Sequence, residues 1–239
     1  MPEPKATRDT LKRLRMRSQT RNPPSRRSEA KAEHCGSAVP PGWRREVKSV
    51  LITEREIARR IRELSRAIER DFRGREIVIV SLLTGTVLFL ADLVRHLSLP
   101  LRLDFMGVSS YRVRTKPGAL VFTKDLRLNV RGRDVLLVDD ILDTGRTMVC
   151  ALRKLKALKP RRIRTCVLLN KAARRVENIR ADYVGFEIPD FFVVGYGLDF
   201  AERYRNLPFV GVLHPYVCKQ SRPEASARVP ARNAKRGKR

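Results

Sequence analysis

Short apolar segments alternate with segments of helical periodicity through the middle of the chain. Ile77–Val80 and Val135–Val138 are continuous runs rich in branched residues, which is typical of strands buried on both faces. A third strand is predicted over Ile163–Lys171, and helices are predicted over Val87–Leu97 and from Thr147 onward. This alternation predicts an α/β fold, with a parallel sheet flanked by helices and a small flap formed by the terminal segments.

A further helix is predicted before the first of these strands. Thr53 and Glu56 have the spacing of a capping box, in which each side chain bonds to the other residue's backbone N–H. Gly74 is expected to end the element. Four apolar residues at helical spacing define its buried face: Ile57, Ile61, Leu64 and Ile68.

Acids and small polar residues follow the strand Val135–Val138. Asp139, Asp140 and Asp143 come first, and the turn Thr144–Thr147 then leads into a helix. The first N–H groups of a helix lack internal partners and attract phosphate, and ligands of open α/β sheets bind beyond the carboxyl ends of the strands. Carboxylates repel phosphate unless they serve sugar hydroxyls, a metal or a proton. The stretch therefore predicts a ribose 5-phosphate site.

A second turn of the same kind follows Ile77–Val80. It contains Thr84, Gly85 and Thr86 at the start of the next helix. Its backbone amides and hydroxyls are suited to a second anionic group.

Two stretches carry a resemblance to a known family. Val135–Thr147 resembles the phosphoribosyl pyrophosphate (PRPP) signature of type I phosphoribosyltransferases, which has four apolar residues, two acids, two apolar residues and Asp-Thr-Gly. Asp182–Asp199, followed by Arg203–Pro208, is similar to hypoxanthine(-guanine) phosphoribosyltransferases almost residue for residue. The resemblance covers about residues 47–217. It implies the Rossmann-like fold of that family and Mg²⁺-dependent transfer of the 5-phosphoribosyl group from PRPP to N9 of hypoxanthine, and also of guanine.

The resemblance also implies roles for the acidic stretch. Asp143 is expected to be the general base that faces N7 of the purine. Asp139 and Asp140 are expected to hold the ribose hydroxyls directly or through Mg²⁺, and Asp199 is expected to help bind the metal. The 5-phosphate is assigned to the turn that follows: Thr144, Gly145, Arg146 and Thr147.

The pyrophosphate is assigned to Thr84, Gly85 and Arg205. The family commonly has Lys where this chain has Thr84, so one charge is missing there, although the backbone amides remain. In the family the peptide bond before this position can be cis.

The purine is assigned to Lys171, Phe192 and Val193. Lys171 is expected to donate to the oxygen at position 6 of the base, which would select 6-oxopurines over adenine. Phe192 is expected to stack on the base, and Val193 to offer backbone groups to its edge. Phe191 stands where the family usually has Lys.

The polar, basic segment Val108–Gly118 is predicted to be a loop with a Pro-Gly turn. By resemblance, Ser109, Ser110 and Tyr111 belong to a mobile lid that keeps water from the reacting centre.

Charge is concentrated at the ends of the chain, although the whole protein is basic. The formal net charge of the 239 residues is +27. Residues 1–40 contain ten Lys or Arg against four acids, and residues 219–239 contain eight against one. We expect both ends to be disordered, and residues 41–218 to form one phosphoribosyltransferase domain.

Such a charge favours contacts with polyanions, yet Arg also fills ordinary surface positions. Because no RNA-binding motif accompanies the charge, we favour the second interpretation and leave contacts of the basic ends with nucleic acid open. The alternative to an enzyme is a PRPP-fold RNA-binding regulator with weak or no transferase activity. The charge and the missing lysines at Thr84 and Phe191 favour this alternative, whereas the complete set of catalytic and purine-binding residues argues against it.

The cellular setting follows from cysteines and hydropathy. The four cysteines form no CxxC pair, and no apolar run approaches the roughly 20 residues of a membrane span. We expect a cytoplasmic protein with reduced thiols and no membrane contact, and the resemblance implies a dimer or tetramer.

Overall fold

The computed structural model describes residues 39–113 and 116–220. Within them the strands are β1 (Val47–Ile52), β2 (Ile77–Leu83), β3 (Leu101–Val113), β4 (Lys116–Lys124), β5 (Asp134–Leu142), β6 (Arg162–Asn170), β7 (Tyr183–Glu187), β8 (Val193–Val194) and β9 (Val210–Leu213). The helices are α1 (Glu54–Asp71), α2 (Val87–Arg95), α3 (Arg146–Ala157) and α4 (Pro215–Gln220), with short 3-10 turns at Pro41–Trp43 and Ala172–Arg174.

Six of these strands form one sheet in the order β4-β3-β2-β5-β6-β7. The strands from β3 to β7 in this order are parallel, and β4 is antiparallel at one edge. The predicted α/β fold with a mostly parallel sheet is therefore confirmed.

Helices cover both faces of this sheet, because neighbouring residues of a strand point to opposite faces. Leu136 and Val138 of β5 belong to the apolar cluster that contains α1 and α2. Leu137 belongs to a second cluster with Met148 and Leu155 of α3. Both faces of β5 are thus buried, which explains its continuous apolar sequence.

α1 forms as its sequence predicts. The Thr53 hydroxyl accepts the Glu56 N–H, and the Glu56 carboxylate accepts the Thr53 N–H at 2.9 Å, so the capping box is confirmed. The four apolar residues of its predicted face are buried. Gly74 follows the helix with a φ of +70°, in the region that favours glycine.

A smaller sheet of three described strands, in the order β1-β9-β8, forms the predicted flap. Val47 pairs with Leu213, and Val193 pairs with Val212, in antiparallel register. Both ends of the described chain contribute to it. β1 is the first described strand, and β9 is followed directly by α4, the last described helix. The segment predicted to bind the purine is therefore held by residues that are far apart in sequence.

The predicted loop over Val108–Gly118 is wrong. β3 continues to Val113, and β4 begins at Lys116, so most of the segment belongs to an antiparallel hairpin. Residues such as Val108 and Tyr111 favour an extended backbone, and Pro117 is tolerated because β4 is an edge strand.

The strand register brings three turns to one edge of the sheet. Ser81 of β2 pairs with Val138, and Leu142 of β5 pairs with Asn170 of β6. Because these strands are parallel, the residues that follow their carboxyl ends emerge side by side.

The described residues contain three free cysteines, Cys150, Cys166 and Cys218. Cys35 lies outside them, as do the predicted disordered segments except for a few residues at their inner ends. Burial raises the pKa of the Cys166 thiol. No helix in the described part of the chain is long and apolar enough to cross a membrane.

Candidate active site

The turns after β2 and β5 surround a cavity of about 410 Å³ at the carboxyl edge of the sheet. It gathers both predicted phosphate turns and the four predicted acids. Ten residues predicted from the sequence line it: Thr84, Gly85, Asp139, Asp140, Asp143, Thr144, Gly145, Thr147, Asp199 and Arg205.

The β2–α2 turn forms one wall of this cavity. The peptide bond Leu83–Thr84 is cis, as the resemblance implied. The Thr86 hydroxyl makes no capping bond to its own helix and lies 3.4 Å from Asp139 Oδ1, to which it donates. A Cβ added to Gly85 would lie 1.8 Å from Asp140 Oδ2. A side chain at this position would therefore displace the Asp140 carboxylate, and the turn is in direct contact with the acidic pair.

The acidic pair lies near the end of β5. Asp139 is buried and Asp140 is half-buried. Burial, followed by the adjacent charge of Asp140, raises the pKa of Asp139 well above its usual range, and burial also raises the pKa of Asp140. Within the described residues, neither carboxylate forms an ion pair. Two acids thus occupy a place that disfavours their charged forms. A cation or hydroxyl donors would stabilise them.

Asp143 follows the last residue of β5 directly. Its Oδ1 atom is buried and has no hydrogen-bond partner among the described residues, while Oδ2 lies 3.6 Å from Nη1 of Arg174. Buried polar atoms are rarely left without a partner, and an unsatisfied one calls for an explanation such as a ligand. The free oxygen belongs to a residue of the cavity wall, where a bound molecule would supply a partner.

The predicted 5-phosphate turn has the expected helix-start geometry. Gly145 precedes α3 with a φ of +86°, and a Cβ there would lie 2.9 Å from Cγ2 of Ile179. Arg146 begins the helix, and its N–H lies 3.5 Å from the Thr144 hydroxyl. The first amides of α3 have no partner within the helix. The Arg146 side chain is exposed and does not line the cavity, whereas Thr147 does.

Sequence reasoning missed Arg175, which supports this turn from outside the cavity. Its guanidinium donates to the backbone oxygens of Asp143 at 2.8 Å and of Leu142 at 2.9 Å. The next two backbone N–H groups after Arg175 both bond to the Thr144 oxygen, at 3.0 and 3.1 Å. Because its two partners in this turn are backbone oxygens more than thirty residues away, no sequence spacing identifies this role.

Asp199 and Arg205 close the cavity from the flap side of the chain. Arg205 Nη2 lies 2.9 Å from Asp199 Oδ1, and Nη1 donates to the Gly197 oxygen at 2.9 Å. No cluster of three or more His, Cys, Asp or Glu in a metal-binding arrangement occurs among the described residues. The predicted metal residues therefore do not form a closed protein cage.

The acidic pair nevertheless fits Mg²⁺. This ion prefers oxygen ligands, and it usually binds through one or two carboxylates together with substrate phosphates and water. Asp139 and Asp140 offer carboxylate oxygens without an ion pair in the described chain, although the charge of Arg205 acts on Asp140.

The predicted purine residues lie outside the walls of this cavity. Lys171 follows β6 directly, and its N–H donates to the Leu142 oxygen at 3.0 Å, which places it beside the Asp143 turn. Its side chain is about 5% exposed, and Nζ lies 3.5 Å from Asp190 Oδ1. Phe192 is 48% exposed, and its ring meets that of Phe200 edge to face, with the centroids 5.3 Å apart. An exposed ring of this kind is available for stacking.

The remaining predicted residues lie in described parts of the backbone but do not line the cavity. Val193 is buried in β8, and Phe191 lines a separate, more apolar cavity of about 250 Å³. The backbone of Ser109, Ser110 and Tyr111 lies in the β3–β4 hairpin, and the side chains of the latter two are outside the described residues. The lid role stays a prediction.

Comparisons with known proteins place this chain in a family. A family model described as "Phosphoribosyl transferase domain" matches residues 49–201. The chain is 43% identical over 173 residues to the hypoxanthine-guanine phosphoribosyltransferase of Bacillus subtilis, covering 72% of this chain and 96% of that protein. It is 44% identical over 173 residues to the bifunctional protein TilS/HprT of Listeria monocytogenes, covering 72% of this chain but only 27% of the length of that protein.

A solved structure agrees. The crystal structure of a hypoxanthine-guanine phosphoribosyltransferase from Bacillus anthracis matches with a TM-score of 0.67 and 41% identity, covering 71% of this chain and 99% of that one. The resemblance drawn from the sequence is confirmed in both fold and sequence. This chain belongs to the phosphoribosyltransferase family.

Proposed function

We propose that this protein transfers the 5-phosphoribosyl group of PRPP to N9 of hypoxanthine, and also of guanine, in purine salvage. The observation that carries the proposal is the shared cavity, in which two helix-start turns meet a pair of acids. The names of the Bacillus relatives support a 6-oxopurine as the acceptor.

PRPP would bind with its two anionic ends on different turns. The 5-phosphate accepts hydrogen bonds from the amides and hydroxyls of Thr144–Thr147, where the helix start favours negative charge. The pyrophosphate lies against Thr84 and Gly85, and Arg205 supplies a positive charge on the same side of the cavity. The absence of the family's lysine makes Arg205 more important here.

The ribose lies between these ends, over Asp139 and Asp140. Their carboxylates accept hydrogen bonds from the ribose hydroxyls or hold the metal, and Asp199 lies across the cavity with Arg205. When bound, Mg²⁺ neutralises charge on the pyrophosphate and so aids its departure.

Asp143 is proposed to accept the purine proton. As the bond from N9 to C1′ of the ribose forms, the bond from C1′ to the pyrophosphate oxygen breaks, and the proton leaves N7 for the carboxylate. The buried Oδ1 without a described partner supports this assignment. Arg175 holds the turn through backbone oxygens and so does not occupy the carboxylate, whose Oδ2 atom lies near Arg174.

The acceptor base is proposed to lie between Phe192 and the Asp143 turn. Lys171 is held beside that turn by its own N–H, and its ammonium donates to the oxygen at position 6 of the purine. Val193 offers backbone groups to the base edge. A buried donor left unpaired would discriminate against adenine.

Absorbance-monitored conversion of hypoxanthine by the purified protein, with PRPP and Mg²⁺, tests the proposal. We expect turnover with hypoxanthine and guanine, a requirement for Mg²⁺, and no turnover with adenine. Lys171→Met should weaken use of 6-oxopurines while ribose 5-phosphate binding is retained. Absence of turnover with every 6-oxopurine would contradict the transferase assignment and leave the RNA-binding regulator as the better account.

The predicted homo-oligomer and cytoplasmic location stay predictions, and analytical ultracentrifugation measures the first of them.

A further inference from the structure

A line of arginines runs along the solvent side of α1. Arg55, Arg59, Arg62, Arg66 and Arg70, here called the α1 arginine stripe, are all exposed. At about 100° per residue the five positions fall within an arc of about 80°, and at 1.5 Å per residue the stripe is about 22 Å long. The opposite side of the helix packs its apolar residues against the sheet.

The acids next to the stripe neutralise it only in part. Glu63 is paired most closely with Arg60, at 2.6 Å, and lies 4.0 Å from Arg59. Glu69 accepts the backbone N–H of Ser98 at 2.6 Å. The side chains of the other four arginines of the stripe form no ion pair or hydrogen bond within the part of the chain that the structure describes.

This arrangement is unfavourable for the helix by itself. Like charges at spacings of three and four residues repel each other, and the stripe contains four such neighbouring pairs. Within the arc of the stripe itself, no acid separates the arginines. A linear polyanion would remove the repulsion along the whole stripe at once.

We propose that the α1 arginine stripe binds the phosphate backbone of a nucleic-acid duplex. The major groove of a B-form duplex is about 12 Å wide, so a stripe of about 22 Å is long enough to contact phosphates on both sides of it. Arginine is suited to bidentate phosphate contacts. The proposal concerns a surface on α1 and does not depend on the transferase reaction.

The chemistry of the stripe favours a duplex over other polyanions. Proteins that bind single strands use aromatic side chains on which bases stack, and α1 contains none. Helices that bind membrane surfaces insert an exposed apolar face, whereas the apolar face of α1 is buried in the core. Because the contacts are to phosphate alone, we expect little sequence preference.

Fluorescence anisotropy with RNA and DNA duplexes of one mixed sequence, titrated at several salt concentrations, tests the proposal on the full chain. Arg62→Ala combined with Arg66→Ala should weaken binding and reduce the slope of log K against log salt by about 1.8, since each phosphate contact contributes about 0.9. Binding of either duplex that the stripe substitutions weaken supports the proposal. The duplex that binds more tightly shows whether RNA or DNA is preferred.

Arg153→Ala combined with Lys156→Ala is the matched control. Both residues are exposed on α3, on the other face of the sheet, and the double change removes the same charge. The basic ends of the chain contribute equally to both variants. Unchanged circular dichroism and unchanged turnover in both would show that the fold is intact, since neither pair lines the cavity.

Three results would overturn the proposal. The first is an equal change of slope in the stripe variant and the control, which would show diffuse attraction by net charge. The second is absence of measurable binding to both duplexes at low salt. The third is binding to anionic vesicles, but to neither duplex, that the stripe substitutions abolish.

Discussion

The two ends of β5 hold buried acids in opposite ways. At the amino end, the Asp134 side chain is fully buried, and Arg161, Arg75 and Arg162 surround it. The hydrogen bond from Arg161 is the main reason that the pKa of Asp134 is lowered. At the carboxyl end, Asp139 and Asp140 have raised pKa values and no ion pair within the described residues.

This contrast separates an acid that stabilises the fold from acids that are proposed to bind a ligand. Asp134 is compensated inside the folded chain, so its contribution belongs to stability. Asp139 and Asp140 have no such ion pair among the described residues, and Oδ1 of Asp143 has no described partner, which supports the proposal that these groups contact a bound molecule. Strongly perturbed groups in a cleft are characteristic of functional sites.

The largest expected effect is on turnover at the carboxyl end. Asp143→Asn keeps the shape of the side chain but removes its ability to accept a proton, so kcat should fall by about 10²–10⁴-fold. PRPP affinity should change far less. Steady-state kinetics and PRPP titration measure both, and an equal loss in the two would contradict the role of general base.

The second prediction concerns stability at the amino end. Asp134→Ala leaves three arginines without their shared partner, and the free energy of unfolding should fall by about 2–3 kcal/mol, as for hydrogen bonds to a charged group. Urea titration measures this loss. The kcat of the folded variant should remain near that of the wild type. A fall in kcat with unchanged stability would show that Asp134 serves catalysis and not the fold, which contradicts the proposed roles of the two ends of β5.

A smaller effect of opposite sign is expected at the carboxyl end. Asp139→Asn removes a buried acid that has a like charge beside it, so the unliganded protein should gain about 1 kcal/mol, in the range of stabilising functional-site substitutions. Binding of PRPP with Mg²⁺ should weaken. Thermal unfolding with and without the ligand measures both changes, and a loss of unliganded stability would show that Asp139 serves the fold.

The smallest expected effect is a pH dependence of Asp134. Because its pKa is lower in the folded state, its contribution is complete above the unfolded-state pKa of about 3.9 and is lost as pH falls through the folded-state pKa. The stability difference between wild type and Asp134→Asn should therefore be constant from neutral pH to about 5 and shrink below about 4. A difference that grows on acidification would refute the ion-pair account.

Much of this contrast was readable in the sequence, because it rests on local patterns. Four apolar residues with acids after them predict a buried strand with a polar end, and Thr-Gly before a helix predicts a phosphate turn. The capping box of α1 was likewise fixed by Thr53 and Glu56. The β3–β4 hairpin was missed because its strands are held by backbone pairing across the hairpin, which a polar segment can adopt although its composition resembles a loop.

The sequence by itself determined which residues are chemically able to act, since residue type and local spacing are properties of short stretches. Only the tertiary structure decided which of them share a cavity and which acids are compensated. Parallel pairing of β2, β5 and β6 brought the turns together, and Arg175 reached the Asp143 turn across more than thirty residues. The same folding placed cations around Asp134 and none in an ion pair with the described Asp139 and Asp140, because burial and charge pairing depend on neighbours distant along the chain.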